Sequence, residues 1–262
     1  MCGLDQGIGQ HDDIIYNHSI AFCNKCRQQR SCFQTLDTEF TKLTQHIIGT
    51  NKEATKKVLG KGCVVVSRGN LSEARAEGVC QFKDVDDLLQ AIRASSYVPG
   101  WSGKASSIMF RGQPAFDGAF SQYIPCPPGV TFCIKVSGLP VWDTGRAISS
   151  LAGGELLPTL NLLGSTVSNI LGAQPLQSLQ RAVNEDLVGT MGLQTWFKVF
   201  ATIQRPGLFD IYPGKFGRSP LTQTQWALYM LTPPPKEVIL QMYQAGQDDA
   251  RTWAKQMGWP KA

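Results

Sequence analysis

An α/β layered sheet is the fold class expected for residues 60–140, and three features of the sequence predict it. "GCVVVSRG" at 62–69 is a continuous β-branched run bounded by glycines, the pattern of a buried strand. "KDVDDLLQAIRASSYVPG" at 83–100 sets apolar residues at helical spacing behind a capping aspartate. "SSIMF" at 106–110 and "TFCIKVSG" at 131–138 are further apolar runs of strand length. Strands, helix, strand, loop and strand in this order argue for helices packed on a sheet.

The elements follow in order. Apolar side chains recur at helical spacing over residues 12–30 and 35–48, the second stretch with Phe33, Leu36, Phe40, Leu43 and Ile47. "EGVCQF" at 77–82 reads as a second strand after "GCVVVSRG". Asp84 then caps a helix, with Asp87 three residues on and Val85, Leu88, Leu89 and Ile92 as its buried stripe. That helix stops before Pro99, because a residue preceding proline avoids the α region. "RGQP" at 111–114 is turn chemistry, and a short apolar step leads from it to Asp117-Gly118.

The remainder changes character. From Ala147 to Gln180 the one charged residue is Glu155, but Pro158, Asn161, Gly164 and Ser165 interrupt the run too often for it to span a bilayer. It reads as a buried helix pair or core-facing loop, with an apolar cover resting on lipid as the other option. Helical spacing returns over 177–201 and 222–231, and a last helix runs over 235–257 behind "PPP". The expected division is therefore a first domain over 1–140 and a mainly helical C-terminal extension over 141–262.

Composition excludes several classes. Of 262 residues, 42% are hydrophobic and 17% charged, which is the balance of a globular protein and not of a disordered one. The net charge of +5 is scattered. Lys52, Lys56, Lys57, Lys61 and Arg68 come nearest to a cluster, and they read as a solvated helix-to-loop face. No motif that reads DNA or RNA accompanies them, so no nucleic-acid partner is expected. The first twenty residues lack a basic n-region and an apolar run, which argues against a secreted protein. A cytoplasmic place, or a peripheral one on a membrane or lipid droplet, is expected, and a plastid also fits.

On that basis the eight cysteines are read as reduced. Cys23 and Cys26 make a C-x-x-C with Cys32 close behind, but no second pair stands at zinc-finger spacing and no strand leads into it. No metal and no cofactor are expected. Cys63, Cys80, Cys126 and Cys133 lie in apolar runs and read as small core residues.

"FRGQPAFDGAFSQYIP" at 110–125 poses the functional question. Asp117 lies among Ala115, Phe116, Gly118, Ala119 and Phe120, with no basic residue nearer than Arg111. A carboxylate buried among apolar neighbours without a partner is costly. On pattern alone an Asp-Gly at a strand end is a turn whose side chain bonds its own backbone. Gly118 adds a functional option, since it permits close approach or a positive φ. The helix ending in "RASSYVPGWSG" can also converge with Asp117 on one end of the sheet, where open α/β folds keep their clefts.

Together "LLQAIRASSYVPGW", "FRGQPAFDGAFSQYIP" and "VTFCIKVS" resemble the second half of a patatin-like phospholipase domain. In that family a helix runs into small residues and a proline, here Ala94-Ser95-Ser96 and Pro99, before an Asp-Gly-Gly or Asp-Gly-Ala motif, here Asp117-Gly118-Ala119. The likeness covers residues 15–140, and "FDIYPGKFGRSPLTQTQWALYML" and "GQDDARTWAKQ" are similar to the tail of some algal and plant members. It implies a three-layer patatin-like sheet with flanking helices. It also implies a Ser-Asp dyad in which a serine in G-x-S-x-G attacks a lipid ester and the motif aspartate takes its proton.

Asp117 matches the family's aspartate. No G-x-S-x-G occurs in the sequence, and the Gly-rich segment that supplies oxyanion-hole amides is missing too. Ser149 and Ser150 follow the aspartate and lack a strand before them, and Ser121 reads as a turn hydroxyl. "MCGLDQ" resembles the segment just after the family's nucleophile helix, so a truncated gene model or isoform, with the N-terminal strands missing, is expected. What the likeness implies is a phospholipase or triacylglycerol lipase acting in lipid degradation at a membrane or lipid-droplet surface. The residues given would by themselves be inactive. The alternative is a catalytically inactive relic of the fold that binds lipid or protein.

Overall fold

The Val64-Val65-Val66 run forms the second strand of a small antiparallel sheet with helices on it. The computed structural model describes residues 12–28, 32, 34–49, 52–71, 73–122, 124–127, 129–141, 208–217, 219–222, 225–226, 229 and 233–259. The apolar stretch at 147–180, the helical expectation at 177–201, and Ser149 and Ser150 lie outside these residues.

Three helices come first: α1 over Asp12–Gln28, α2 over Leu36–Gly49 and α3 over Lys52–Val58. Strands β1 over Val64–Arg68 and β2 over Arg75–Val79 precede α4 over Val85–Ser95. Strands β3 over Ile108–Phe110 and β4 over Gln113–Asp117 follow, and a 3₁₀ turn over Gly118–Phe120 continues directly from β4. The last helix, α5, spans Lys236–Gln256. The expected first strand, both early helices, the capped helix and the last helix are all present. "EGVCQF" is strand only through Val79, and "TFCIKVSG" contains no strand, only an isolated bridge from Val136 to Ile211.

Sheet order is β2-β1-β4-β3, and every pairing is antiparallel. The connections dictate this. Arg111 and Gly112 alone join β3 to β4, with φ of 50° and 74°. Two left-handed residues make the turn type whose twist matches a hairpin, and a two-residue link leaves no room for a parallel crossover. Alternation sorts the two faces. Val66, Phe110 and Ala115 join Val79, Ala91 and Ala94 in one core under α4, while Ser67 and Phe116 belong to the opposite face.

Helix α4 is capped as its sequence predicts: the Asp84 carboxylate accepts the Asp87 N–H at 2.8 Å. Its fully buried residues are Val85, Ala91 and Ala94, while Leu88, Leu89 and Ile92 are half-buried. Two small alanines let the helix backbone approach the sheet, so the larger side chains are pushed to the rim of the contact.

Charged forks fix the layers laterally. Arg111, in the hairpin turn, donates to both Asp87 oxygens and to the Gln81 carbonyl, pinning the start of α4 to the hairpin. Arg93 donates to both oxygens of Asp37 at 2.8 and 2.6 Å and ties α4 to α2. Arg68 is no solvated cation, as the expectation had it. Its side chain is 15% exposed, bonded to Glu77 at 2.6 Å and to the carbonyls of Phe110, Gln113 and Pro114.

The cysteines correct the sequence expectation most clearly. Cys26–Cys32, Cys63–Cys80 and Cys126–Cys133 are disulfides, and Cys23 is a free thiol. Cys63 and Cys80 flank the Val64–Val79 pair, so their bridge closes the open end of the β1–β2 hairpin. These six are cross-links rather than reduced core thiols. The reading of these six as reduced, drawn from the lack of a secretory signal, is thereby overturned.

Residues beyond 207 pack on the segment after the sheet. Leu221 and Trp226 form a second core with Leu139, Tyr229, Val238 and Met242. Among the described residues no helix is long and apolar enough to cross a membrane.

Candidate functional site

Asp117 is the last residue of β4 and the cap of the 3₁₀ turn that follows. Four contacts hold its backbone and side chain. Its N–H donates to the Tyr97 carbonyl at 2.9 Å, so the segment leaving α4 and the aspartate turn do meet at one end of the sheet. Its carbonyl accepts the Ser67 hydroxyl at 2.7 Å from β1. In register, Asp117 stands opposite Val66. Its Oδ1 accepts the Ala119 N–H at 2.8 Å, the local bond expected of an Asp-Gly turn.

Gly118 serves close approach. A Cβ at this position would press into the Val65 carbonyl, with the carbonyl carbon 2.7 Å away. Only glycine lets the turn pass β1 this closely. Phe116 and Phe120 meet edge to face beside it, ring centroids 5.6 Å apart. The Gly118 carbonyl accepts from the Ser121 and Gln122 N–H groups and closes the turn.

Among the described residues no cation faces the Asp117 carboxylate. The residue as a whole is half-buried, yet enough protein surrounds its carboxyl that burial raises its pKa from 3.8 to about 6, against a smaller lowering by the Ala119 N–H. Glu77 and Asp87 show the contrast. Hydrogen bonds from Arg68 and Arg111, respectively, hold those carboxyls below their ordinary values. Asp117 is thus, among the described residues, the carboxylate whose pKa burial raises towards neutral.

The serines nearby do different work. The hydroxyls of Ser67 and Ser121 lie 2.7 Å apart, and Ser67 donates its hydrogen bond to the Asp117 backbone carbonyl. Neither bonds the Asp117 carboxylate. Ser121 is a turn hydroxyl, also 3.3 Å from the Gly118 carbonyl, as its sequence position suggested. Ser102, in "GWSG", is buried and accepts the Val98 N–H, so it too is structural. Of the motif residues, Asp117, Gly118 and Ala119 act together in one turn. Sequence reasoning missed Ser67 and Tyr97. A serine inside a buried β-branched run was the available signal, because a buried hydroxyl needs a partner.

Cys26 is spent in a disulfide with Cys32, which removes one ligand from the C-x-x-C considered for metal. No family model, curated protein or solved structure matches the chain.

Proposed function

We propose that this chain carries the aspartate half of a patatin-like lipid acyl hydrolase site, with Asp117 as the base of a Ser-Asp dyad. The observation that carries it is the Asp117 carboxylate: in a half-buried residue, facing no cation among the described residues, and raised to about 6 at a strand end fixed by Tyr97, Ser67 and Ala119. A folded chain that gains nothing electrostatic from such a carboxylate keeps it at a cost to stability, and functional sites are where that cost is found. The Asp117-Gly118-Ala119 motif supports the reading, and the family's three-layer fold is part of the proposal, since the described sheet is small and wholly antiparallel.

In this mechanism the carboxylate takes the proton of a serine as its oxygen attacks the ester carbonyl. The proton then passes to the departing alcohol, and an acyl-serine remains for water to cleave by the same route. That serine belongs to a G-x-S-x-G elbow, and residues 1–262 contain none. A Gly-rich strand would supply the oxyanion-binding amides. The substrate is a lipid ester presented at a membrane or lipid-droplet surface.

A relic that binds without turning over is the second option. It is favoured by the Ser67 and Ser121 hydroxyls, which are committed to each other and to backbone carbonyls and leave no nucleophile beside Asp117. Joining residues 1–262 to a segment bearing a Gly-rich strand and a G-x-S-x-G elbow separates the two. Hydrolysis of a short-chain ester by the joined protein, absent from residues 1–262 alone, supports the hydrolase. An inactive but folded joined protein supports the relic.

A further inference from the structure

The loop from Cys126 to Cys133, "CPPGVTFC", is closed by its own disulfide. It exposes two apolar side chains close together, Val130 at 47% and Phe132 at 58%, and Val136 just beyond is 50% exposed. Exposed apolar residues scattered singly need no explanation, but three in one short stretch mark a contact surface. The cross-link and Pro127 restrain the loop, so presenting Phe132 carries little ordering cost on binding.

Charge on this segment is one-sided. From Gly118 to Val141 the single charged residue is Lys135. The Lys135 carbonyl accepts the N–H groups of Asp210 and Ile211, and the Ser137 N–H returns to the Ile211 carbonyl at 2.9 Å. This pairing brings in Lys215, whose ammonium donates to the Phe209 and Asp210 carbonyls. Asp210 directs its carboxylate to the Lys135 backbone N–H at 2.8 Å, and Asp249 directs its own to the Gly214 N–H at 3.3 Å. Neither lysine has an ion-pair partner among the described residues.

The geometry points to the Cys126–Cys133 loop as a lipid-docking wedge: Val130 and Phe132 enter the acyl boundary of an anionic membrane surface while Lys135 and Lys215 meet its phosphates. Apolar side chains backed by two lysines that no carboxylate pairs among the described residues, with Asp210 and Asp249 turned to backbone N–H groups, suit a lipid interface, where burial of apolar area and attraction to anionic headgroups add. The loop begins nine residues after Asp117. The inference rests on the lipid acyl hydrolase reading and names where that site meets its substrate.

Co-sedimentation of the full chain with vesicles tests it, using phosphatidylcholine alone and an equimolar mixture with phosphatidylglycerol. The chain partitions onto the mixed vesicles and less onto phosphatidylcholine, and added salt weakens the binding. Val130→Ser with Phe132→Ser lowers partitioning about ten-fold or more while circular dichroism stays unchanged. Lys135→Gln with Lys215→Gln removes the preference for the mixed vesicles, and Asp117→Asn binds as the parent does. Absence of parent binding, or full binding by the Val130/Phe132 variant, overturns the proposal. So does an apolar patch that proves to mediate self-association, seen as a size-exclusion shift lost in that variant. Hydrolysis of a water-soluble ester by the elbow-joined protein needs no membrane. If it persists without vesicle binding, only the docking loop falls; if vesicles bind and the ester survives, the hydrolase reading falls.

Discussion

The Asp117 N–H donates to the Tyr97 carbonyl at 2.9 Å, joining the turn after β4 to the segment that leaves α4. This bond fixes where the carboxylate stands without touching the carboxylate itself. The Tyr97 carbonyl and the Ser67 hydroxyl hold its backbone, and among the described residues the side chain accepts a hydrogen bond only from Ala119. A residue held this way remains in place when its charge changes.

The raised pKa of Asp117 makes a stability prediction of definite sign. An acid whose pKa is higher in the folded than in the unfolded chain binds more protons when folded at pH values between the two. Its contribution is therefore greatest below 3.8 and is lost as pH rises through about 6. The shift corresponds to about 3 kcal/mol at most. Asp117→Asn keeps an oxygen for the Ala119 N–H and removes the charge, so it stabilises the fold at pH 7 and does little at pH 3.5. Urea melts of parent and variant at both pH values measure this. A difference that does not change with pH would show the carboxylate to be well solvated.

Gly118→Ala has no room. The added methyl meets the Val65 backbone, which cannot swing aside as a side-chain end would. A loss of about 1–3 kcal/mol is expected, the usual range for overpacking. Gly112→Ala, in the open hairpin turn, tests strain without a clash, since nothing lies near its would-be Cβ but its φ is 74°. Equal, negligible losses at both positions would mean that the turn does not press on β1.

Alkylation without reductant should label Cys23 and spare the six paired cysteines, which label only after reduction. Peptide mapping by mass spectrometry distinguishes them. Replacing Cys63 and Cys80 by serine removes the bridge across the β1–β2 hairpin and is expected to cost about 2–4 kcal/mol. Full labelling of an unreduced, air-exposed sample would contradict the cross-links.

Arg111 and Asp87 should couple. Their fork holds the hairpin turn against the start of α4, and the Arg111 hydrogen bond keeps the Asp87 carboxyl low. This stabilisation is present at neutral pH and is lost as pH falls below the ordinary carboxylate range. A double-mutant cycle with Arg111→Met and Asp87→Asn should return about 1 kcal/mol at pH 7 and less at pH 3. Strict additivity at pH 7 would show that the pair contributes nothing.

Local signals in the sequence were read well where one residue decides the outcome. Asp84 caps α4, Arg111-Gly112 turns the hairpin, and Val64 to Val66 form a strand because their branching and neighbours allow little else. Non-local relations were not legible. "TFCIKVSG" has the pattern of a strand, but its described partner is a single bridge to Ile211, and pattern alone cannot supply a neighbour. The disulfides were missed because compartment was used to judge the cysteines; the Cys63–Cys80 bridge depends on the β1–β2 register, which spacing does not show. At the candidate site, Asp117 and Gly118 stood out for their types. Tyr97 did not, because its role passes through a backbone carbonyl that every residue shares, and Ser67 did not, because its hydroxyl meets a partner fifty residues away.

The most direct test is the rate of ester hydrolysis by the elbow-joined protein with Asp117 and with Asn in its place, both confirmed as folded. Asn preserves the Ala119 bond and the shape of the turn but cannot accept the serine proton. The expected result is a loss of about 10² to 10⁴ in kcat, typical of a missing general base, and a parent rate that rises with pH through about 6. An Asn variant within a few-fold of the parent would contradict it and leave Asp117 as a turn residue only.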